Sequence, residues 1–380
     1  MFRSQLTAPP TKQDLILGLL AKCHGTQDVV RKGTPAEKLS RLPMVDVARE
    51  CLHWSSSGSD IGTCGDADVV RAAFSGGELA GAFDGIFGST LAGAYGQAEC
   101  KSAGWTWEER ELENYSATRI TRVLDNVMLL PRGRGEVAAL QSLLGYSVAW
   151  SATEYAKSLI IDEQDLVNDH TKAILQAAAG LGRGAIRLRD DGVFSMVLAN
   201  PVLPSDNLPV FDPGHNNYLS GPDSALSNTS LAQGIAAIRS QVIDTPDGRV
   251  HLELAPKYLI VPPSLENQAR QAMRLQKLDN DKTDLELIVT SRLSSVGVAD
   301  PLSGVVRQGN DTNWLLTADS RTAPSFAVGF LRGLDTPKIR SAELPVSGNF
   351  SGLWARSWDV QMSLAVAAID FRGSFWSPGW

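Results

Sequence analysis

The chain is poor in cysteine and has no long apolar run, and each shortage removes a class of protein. Only Cys23, Cys51, Cys64 and Cys100 occur, all in the first hundred residues, and no pair has CxxC spacing. They read as free thiols of a reducing compartment; His24 and His53 nearby give no more than the outline of a zinc site. No apolar stretch approaches the roughly 20 residues that a membrane-spanning helix needs. The N-terminal MFRSQLTAPPTKQDLI lacks the basic-then-apolar plan of a secretion signal, so cytoplasmic synthesis is expected. An excess of positive charge is missing as well. The formal net charge of −7 argues against a nucleic-acid-binding surface over most of the chain. Tandem repeats and low-complexity tracts are absent. What remains is ordinary for a globular protein, 43% hydrophobic and 20% charged, and 380 residues allow two domains or one large body with extensions.

The strongest periodic signal lies between Asp162 and Ala199. Leu166, Ile174, Ala177, Ala178, Leu181, Ala185 and Leu188 form a stripe at helical spacing. Asp162, Glu163 and Asp165 stand at the start, and Arg183, Arg187 and Arg189 toward the end, with the signs the helix dipole favours. One continuous helix over 163–190 would be roughly 40 Å long and must be packed along its length.

Before it, residues 1 to 70 read as an extension with little core: short helical patterns at Thr11–Lys22 and Pro43–Trp54, joined by polar or glycine-rich pieces. Phe83, Ile86, Phe87, Leu91 and Tyr95 suggest a helix despite the glycines around them. From Trp105 to Ile161 the period changes to two, in the runs around Ile120 and Val148, on either side of the turn former LPRGRG at 130–135. This predicts a long hairpin-like excursion with too little core to stand alone. After the long helix, Ser227 caps a helix carrying Leu231, Ile235, Ile238 and Val242. Strands are expected at 251–254 and 257–261, a helix after Ser264, a buried strand at 285–293, and strands at 314–318 and 326–331. Together they imply an α/β or α+β domain. A long strand over Trp354–Phe371 is expected to close the first domain.

Chemistry is sparse. Gly180, Gly182 and Gly184 mimic a dinucleotide loop but lie inside a helical pattern with no strand before them, so close approach of another element is the better reading. His215, near Asp212, is the most enzyme-like residue, yet no G-x-S-x-G elbow or H-E-x-x-H partners it, and hydrogen bonds that stabilise the loop are preferred. His170 adjoins Asp169, but neighbours on a helix do not face one another. Asp279, Asp281 and Asp284 lack the Gly and Glu of a calcium loop and read as a solvated turn.

The order of parts resembles the tailed-phage major capsid protein, with the α+β Hong Kong 97-type fold. DLVND at 165–169, FDPGHNN at 211–217, PKYLIVPPSLE at 256–266 and IDFRG at 369–373 resemble the Mu-like head-subunit branch, over about residues 80–375. MVDVARECL at 44–52 resembles the segment just before the capsid body in that branch, where a maturation protease is often fused upstream. None lies upstream here, so a separate protein supplies it or the chain begins after its cut site.

The resemblance implies an N-terminal arm (1–70), a peripheral-domain segment (71–104), an E-loop reaching over a neighbouring subunit (105–160), a spine helix (161–199), an axial domain (200–340) and C-terminal peripheral strands (341–380). It implies a structural, non-enzymatic protein without cofactor or metal. Copies would self-assemble into hexamers and pentamers of an icosahedral virion head around double-stranded DNA, built in the host cytoplasm away from any membrane. Portal protein, scaffold or maturation protease, and decoration proteins are the partners it implies. Expected subunit contacts are Pro131, Arg132, Arg134 and Glu136 at the excursion tip, the aromatics Trp105, Trp107, Tyr146 and Trp150, and the N-terminal helices. An encapsulin-like compartment and a hydrolase using His215 are the alternatives.

Overall fold

The computed structural model describes residues 4–6, 8–24, 30–55, 64–75, 77–123, 145–245, 248–279, 284–344 and 355–380. In chain order its elements are α1 (Lys12–His24), α2 (Pro35–Arg41), α3 (Met44–Trp54), α4 (Asp66–Ser75), α5 (Glu78–Gln97), β1 (Trp107–Leu112), β2 (Thr118–Val123), β3 (Gly145–Trp150), β4 (Thr153–Asp162), α6 (Glu163–Val167) and α7 (Thr171–Ala199). Then follow α8 (Asn228–Arg239), β5 (Val242–Thr245), β6 (Gly248–His251), β7 (Pro256–Val261), α9 (Glu266–Asp279), β8 (Glu286–Val289), β9 (Val298–Ala299), β10 (Val306–Arg307), β11 (Trp314–Ala318), β12 (Phe326–Leu331), β13 (Lys338–Leu344), β14 (Ala355–Ala368) and β15 (Ser374–Ser377). The chain divides into two compact units, and α7 and β14 each contribute residues to both.

The first unit comprises Met1–Ala98, Tyr155–Ile186 and Thr336–Met362. Its core contains Leu15, Leu19, Leu39, Met44, Val47, Phe74, Phe87 and Trp358, all buried. The N-terminal helices are therefore not an extension lacking a core, as the sequence pattern suggested. Each is too short to persist alone, but they bury their apolar faces against α5 and one another. Even Glu50 on α3 is buried, accepting from the Ser4 hydroxyl at 2.6 Å and the Gln5 amide at 2.5 Å. Burial, with help from Glu78 and Glu50, pushes the neighbouring Cys51 thiol up to about 12.

On α5, Phe83, Ile86, Phe87 and Leu91 share the buried face that their spacing predicts. Phe87 stacks on Trp358 at 5.5 Å. Asp84 accepts from the Trp358 indole at 2.8 Å, the Ser341 hydroxyl at 2.8 Å and Arg356 at 3.0 Å. These bonds tie α5 to the antiparallel pair β13–β14.

The expected single long helix is interrupted. Asp162 caps α6 by accepting from the Asp165 amide at 2.9 Å, and the helix ends before Asp169, whose φ is 58°. Asn and Asp favour such breaks because they tolerate the left-handed region and bond locally to the backbone. The Asp169 carboxylate then pairs with Lys22 at 2.7 Å. Beyond the break α7 runs for 29 residues, roughly 43 Å. It meets α5 at Gly182, where an added Cβ would lie 2.4 Å from the Leu91 carbonyl oxygen.

The second unit comprises Glu99–Glu154, Arg187–Asp335 and Ser363–Trp380. In one sheet β12 pairs in parallel with β1 and antiparallel with the second half of β14. A second sheet has the order β15-β11-β7-β8. Its apolar face is covered by α8 and α9 through Leu231, Ile235, Ile238, Ala269 and Ala272, and α8 opens with a Ser227–Ser230 capping box. β15, which the sequence pattern did not mark, pairs with β11, and Phe375 packs at 5.5 Å from the buried Trp314. The strand expected as fully buried, β8, is only partly covered, since it is the edge of its sheet.

Gly180, Gly182 and Gly184 of α7 separate a packing role from a merely tolerated one. Gly182→Ala should lower stability by about 1–3 kcal/mol through overpacking. Gly180 and Gly184 have nothing within 4 Å of a built Cβ. Alanine there should raise stability by up to about 1 kcal/mol. Denaturant unfolding of the three variants reads both signs.

Candidate functional site at the root of the excursion

The excursion leaves the second unit from two charged residues on α7. Asp190 is 2% exposed. A carboxylate buried that deeply is costly unless donors surround it, and the loop before β1 supplies them. Asp190 accepts from the amides of Lys101 at 3.1 Å and Ser102 at 3.0 Å, from the Ser102 hydroxyl at 2.8 Å, and from the Cys100 thiol at 3.4 Å. Burial pushes that thiol up, opposed by the Arg189 charge. Arg292 lies 3.6 Å from Asp190 and donates to Asp191 at 2.5 Å.

The next anchor is Arg189. Its guanidinium is buried over the Phe330 ring, pairs with Glu108 on β1 at 2.8 Å and meets the Thr106 hydroxyl at 3.5 Å. Burial raises the Glu108 carboxyl, but the charges and hydrogen bonds of Arg189 and, to a smaller extent, Arg110 together outweigh it and hold the group below the usual carboxylate range. The sequence pattern placed Arg189 only as a charge toward the helix end; in the structure it is an internal pairing partner.

Trp105 is 1% exposed. Its indole N–H donates to the Lys101 carbonyl at 2.9 Å, and its ring meets Phe194 and Phe326 edge-on. Trp107 is partly buried at the head of β1. Trp150 is 6% exposed and packs with Leu112, Ile120, Val148 and Ala152 against Ala327, Ala365, Ala367 and Ile369. A Cβ on Gly329 would lie 2.6 Å from both Leu112 and Trp150, so glycine is what lets the ribbon sit this close to β12. Trp105 and Trp150 thus correct the expectation of aromatic subunit contacts. Both indoles are spent on the chain's own interior, with little surface left for a neighbour.

From this root β2 and β3 run antiparallel, from Thr118 opposite Trp150 to Val123 opposite Gly145. Ile120 and Val148 oppose each other on the buried face, while Arg119, Thr121 and Ala149 are exposed on the other. The period-two reading holds in both strands. Tyr146 lies on β3 opposite Arg122; its side chain is outside the described residues. Pro131, Arg132, Arg134 and Glu136 also lie outside them.

The enzyme-like residues are placed otherwise. His215 is 6% exposed, its ring stacked 3.7 Å from Phe371. Its Nδ1 faces the Val210 carbonyl at 3.2 Å and its Nε2 the Asp206 carboxylate at 3.0 Å. With both nitrogens engaged, it bolts the 206–215 loop to the C-terminal turn, which is the loop-stabilising role. Its carboxylate partner is Asp206 rather than Asp212, which instead accepts from the Gly214 amide. His170 is exposed, 3.4 Å from Asp165. Among the described residues no group of three or more His, Cys, Asp or Glu could hold a metal ion, and no helix is long and apolar enough to cross a membrane.

Residues 145–377 match the model of the family described as phage capsid protein. No curated protein matches the chain. Among solved structures, the capsid of cyanophage P-SCSP1u is similar over 72% of this chain and 86% of that one, at 11% identity and a TM-score of 0.47. The mature capsid of bacteriophage PhiM1 is similar over 72% and 85%, at 15% identity and 0.44. A phage-related protein from Bordetella bronchiseptica RB50 is similar over 75% and 94%, at 11% identity and 0.40.

The Glu108–Arg189 pair gives the root a pH dependence of definite sign. Because the folded carboxyl sits below its ordinary value, the pair contributes in full above the usual carboxylate range and is lost as pH falls through the lowered folded value. Glu108→Gln, which leaves a buried guanidinium short of its partner, should cost about 1–3 kcal/mol at neutral pH. The gap between wild type and variant should close on acidification below about pH 4, which melting curves across pH will read. A gap of constant size would show that the pair is not its source.

Proposed function

The chain belongs to the phage capsid protein family and has its α+β, Hong Kong 97-type fold; from that premise we propose that copies of it assemble into the hexamers and pentamers of an icosahedral head enclosing double-stranded DNA. The protein acts by geometry and not by catalysis. The observation that carries this reading is the β2–β3 ribbon. Its buried face at Ile120, Val148 and Trp150 is satisfied by the chain's own core, while its other face, with Arg119 and Thr121, is exposed. A two-stranded ribbon is marginal by itself, so the exposed face of β2–β3 is the one that a sister copy covers. Association then supplies part of the folding free energy of that arm. The arm's contact residues are Arg132, Arg134 and their neighbours, with Tyr146 at its base.

Further partners follow from the same reading: a portal protein, a scaffold or maturation protease, and possible decoration proteins, with assembly in the host cytoplasm. The stretches at 211–217 and 256–266 support the Mu-like branch. The net charge of −7 fits a shell whose lining as a whole does not grip phosphates tightly.

Electron microscopy of the purified, concentrated protein tests the proposal. Closed particles or six-fold rings are expected, and a monodisperse monomer at every concentration would sink it. Replacing residues 124–144 by a short glycine linker isolates the arm. The variant should keep its root core and melt cooperatively, yet form no particles. Normal particles from that variant would remove the arm from the assembly mechanism.

A further inference from the structure

Positive charge is unevenly spread along the chain. Residues 1–41 hold seven Lys and Arg against three Asp and Glu, a net of +4, which leaves −11 for residues 42–380. Arg31, Lys32, Lys38 and Arg41 lie together in sequence and are all exposed. The stretch that carries them is rigidly built. α2 approaches α1 so closely that a Cβ on Gly18 would lie 2.9 Å from the Ala36 carbonyl oxygen and 2.9 Å from Leu39. Ala36 and Leu39 are themselves buried.

The turn into α2 is equally tied down. Gly33 takes a φ of 83°, and its N–H donates to Glu37 at 2.6 Å. The Thr34 hydroxyl donates to the Arg31 carbonyl at 2.7 Å. Glu37 spends its other oxygen on Arg41 at 2.7 Å. Lys38 donates to the Gln5 carbonyl at 3.1 Å. Among the described residues, Arg31, Lys32 and Lys38 have no carboxylate partner.

What this surface lacks decides the class of partner. Among the described residues no exposed large apolar side chain comes earlier than Trp54. Contacts between protein subunits centre on apolar and aromatic side chains and are poor in lysine. A polyphosphate is held differently, by solvated Lys and Arg with no apolar centre. We propose that the Arg31–Lys32–Lys38 surface binds the phosphate backbone of double-stranded DNA without reading its bases. The proposal rests on the shell reading above and adds a grip at one cationic lobe of an otherwise acidic chain.

The test is fluorescence anisotropy of the full-length protein with a duplex of about 25 base pairs, at salt from about 0.05 to 0.2 M. Affinity should fall linearly with salt on logarithmic axes. The triple variant R31Q/K32Q/K38Q should flatten the slope by roughly 2.7, about 0.9 per cation lost, and weaken binding about tenfold or more at 0.1 M. Its melting temperature should not move, since the three side chains are exposed. A control triple on α9, R270Q/R274Q/K277Q, removes equal charge from a cluster beside Leu285 and Leu287 and should leave the slope as it was.

An unchanged slope in the N-terminal triple overturns the proposal, as does an equal loss in both triples. Particle formation is scored separately by microscopy. Particles from the native protein together with an unchanged DNA slope in the variant sink this inference and leave the shell intact. Failure of the native protein to form particles sinks the shell reading instead. A variant that loses particles but keeps its slope assigns the surface to a sister chain, against the proposal.

Discussion

A carboxylate buried well inside a long helix controls how the excursion begins. Asp190 is almost wholly removed from solvent, so its stability depends on the amides and hydroxyl that the 100–102 loop brings to it. The dependence runs both ways, because those amides lie in a loop with no ladder of its own and need an acceptor. Arg189, the next residue on the helix, does the same for β1 through Glu108. Two adjacent charges that would be costly if left unpaired thus determine where the loop ends, where the strand starts and in which direction the ribbon departs. Trp105 packs edge-on against Phe194 and Phe326.

From that root outward, burial differs between the two faces of the ribbon. At Thr118–Ile120 and Val148–Trp150 one face is covered by alanines of β12 and β14, whose small side chains leave room for the larger ones of the ribbon. The opposite face carries polar or small residues, of which Arg119, Thr121 and Ala149 are exposed. At this end, then, one face of the ribbon is held by the chain's own core and the other is exposed. The N-terminal helices lie at the other extreme. They have a complete apolar core inside the chain, and their outward face is charged.

Much of this was legible in residue spacing. The faces of α5, α8 and α9, the Ser227 cap and the alternation along β2, β3 and the Trp358–Leu364 stretch of β14 follow directly from period and cap chemistry, because each depends on neighbours a few residues away. The break at Asp169 was harder, since the apolar stripe continues across it and only the Asn-Asp pair marks the change of backbone region. The N-terminal helices were misread for a different reason. A seven-residue helix such as α2 has too little surface to declare a core, and what it packs on is supplied by α1. At the candidate site, the ribbon was visible as two alternating runs, but its fastening was not. No local pattern pairs Arg189 with a glutamate 81 residues earlier, and Trp105 and Trp150 look the same in sequence whether they face a neighbour or their own interior.

By itself, then, the sequence determined which segments are helical or extended, which side of each is apolar, and the order of parts that marks the capsid family. All of these are written in contacts of short range and in composition. Tertiary structure alone decided which charges are buried and with whom, that β15 pairs with β11, and that Gly182 and Gly329 are sites of close approach while Gly180 is not. The reason is physical: burial and desolvation depend on what arrives from distant parts of the chain, and a side chain's own neighbours in sequence carry no record of it.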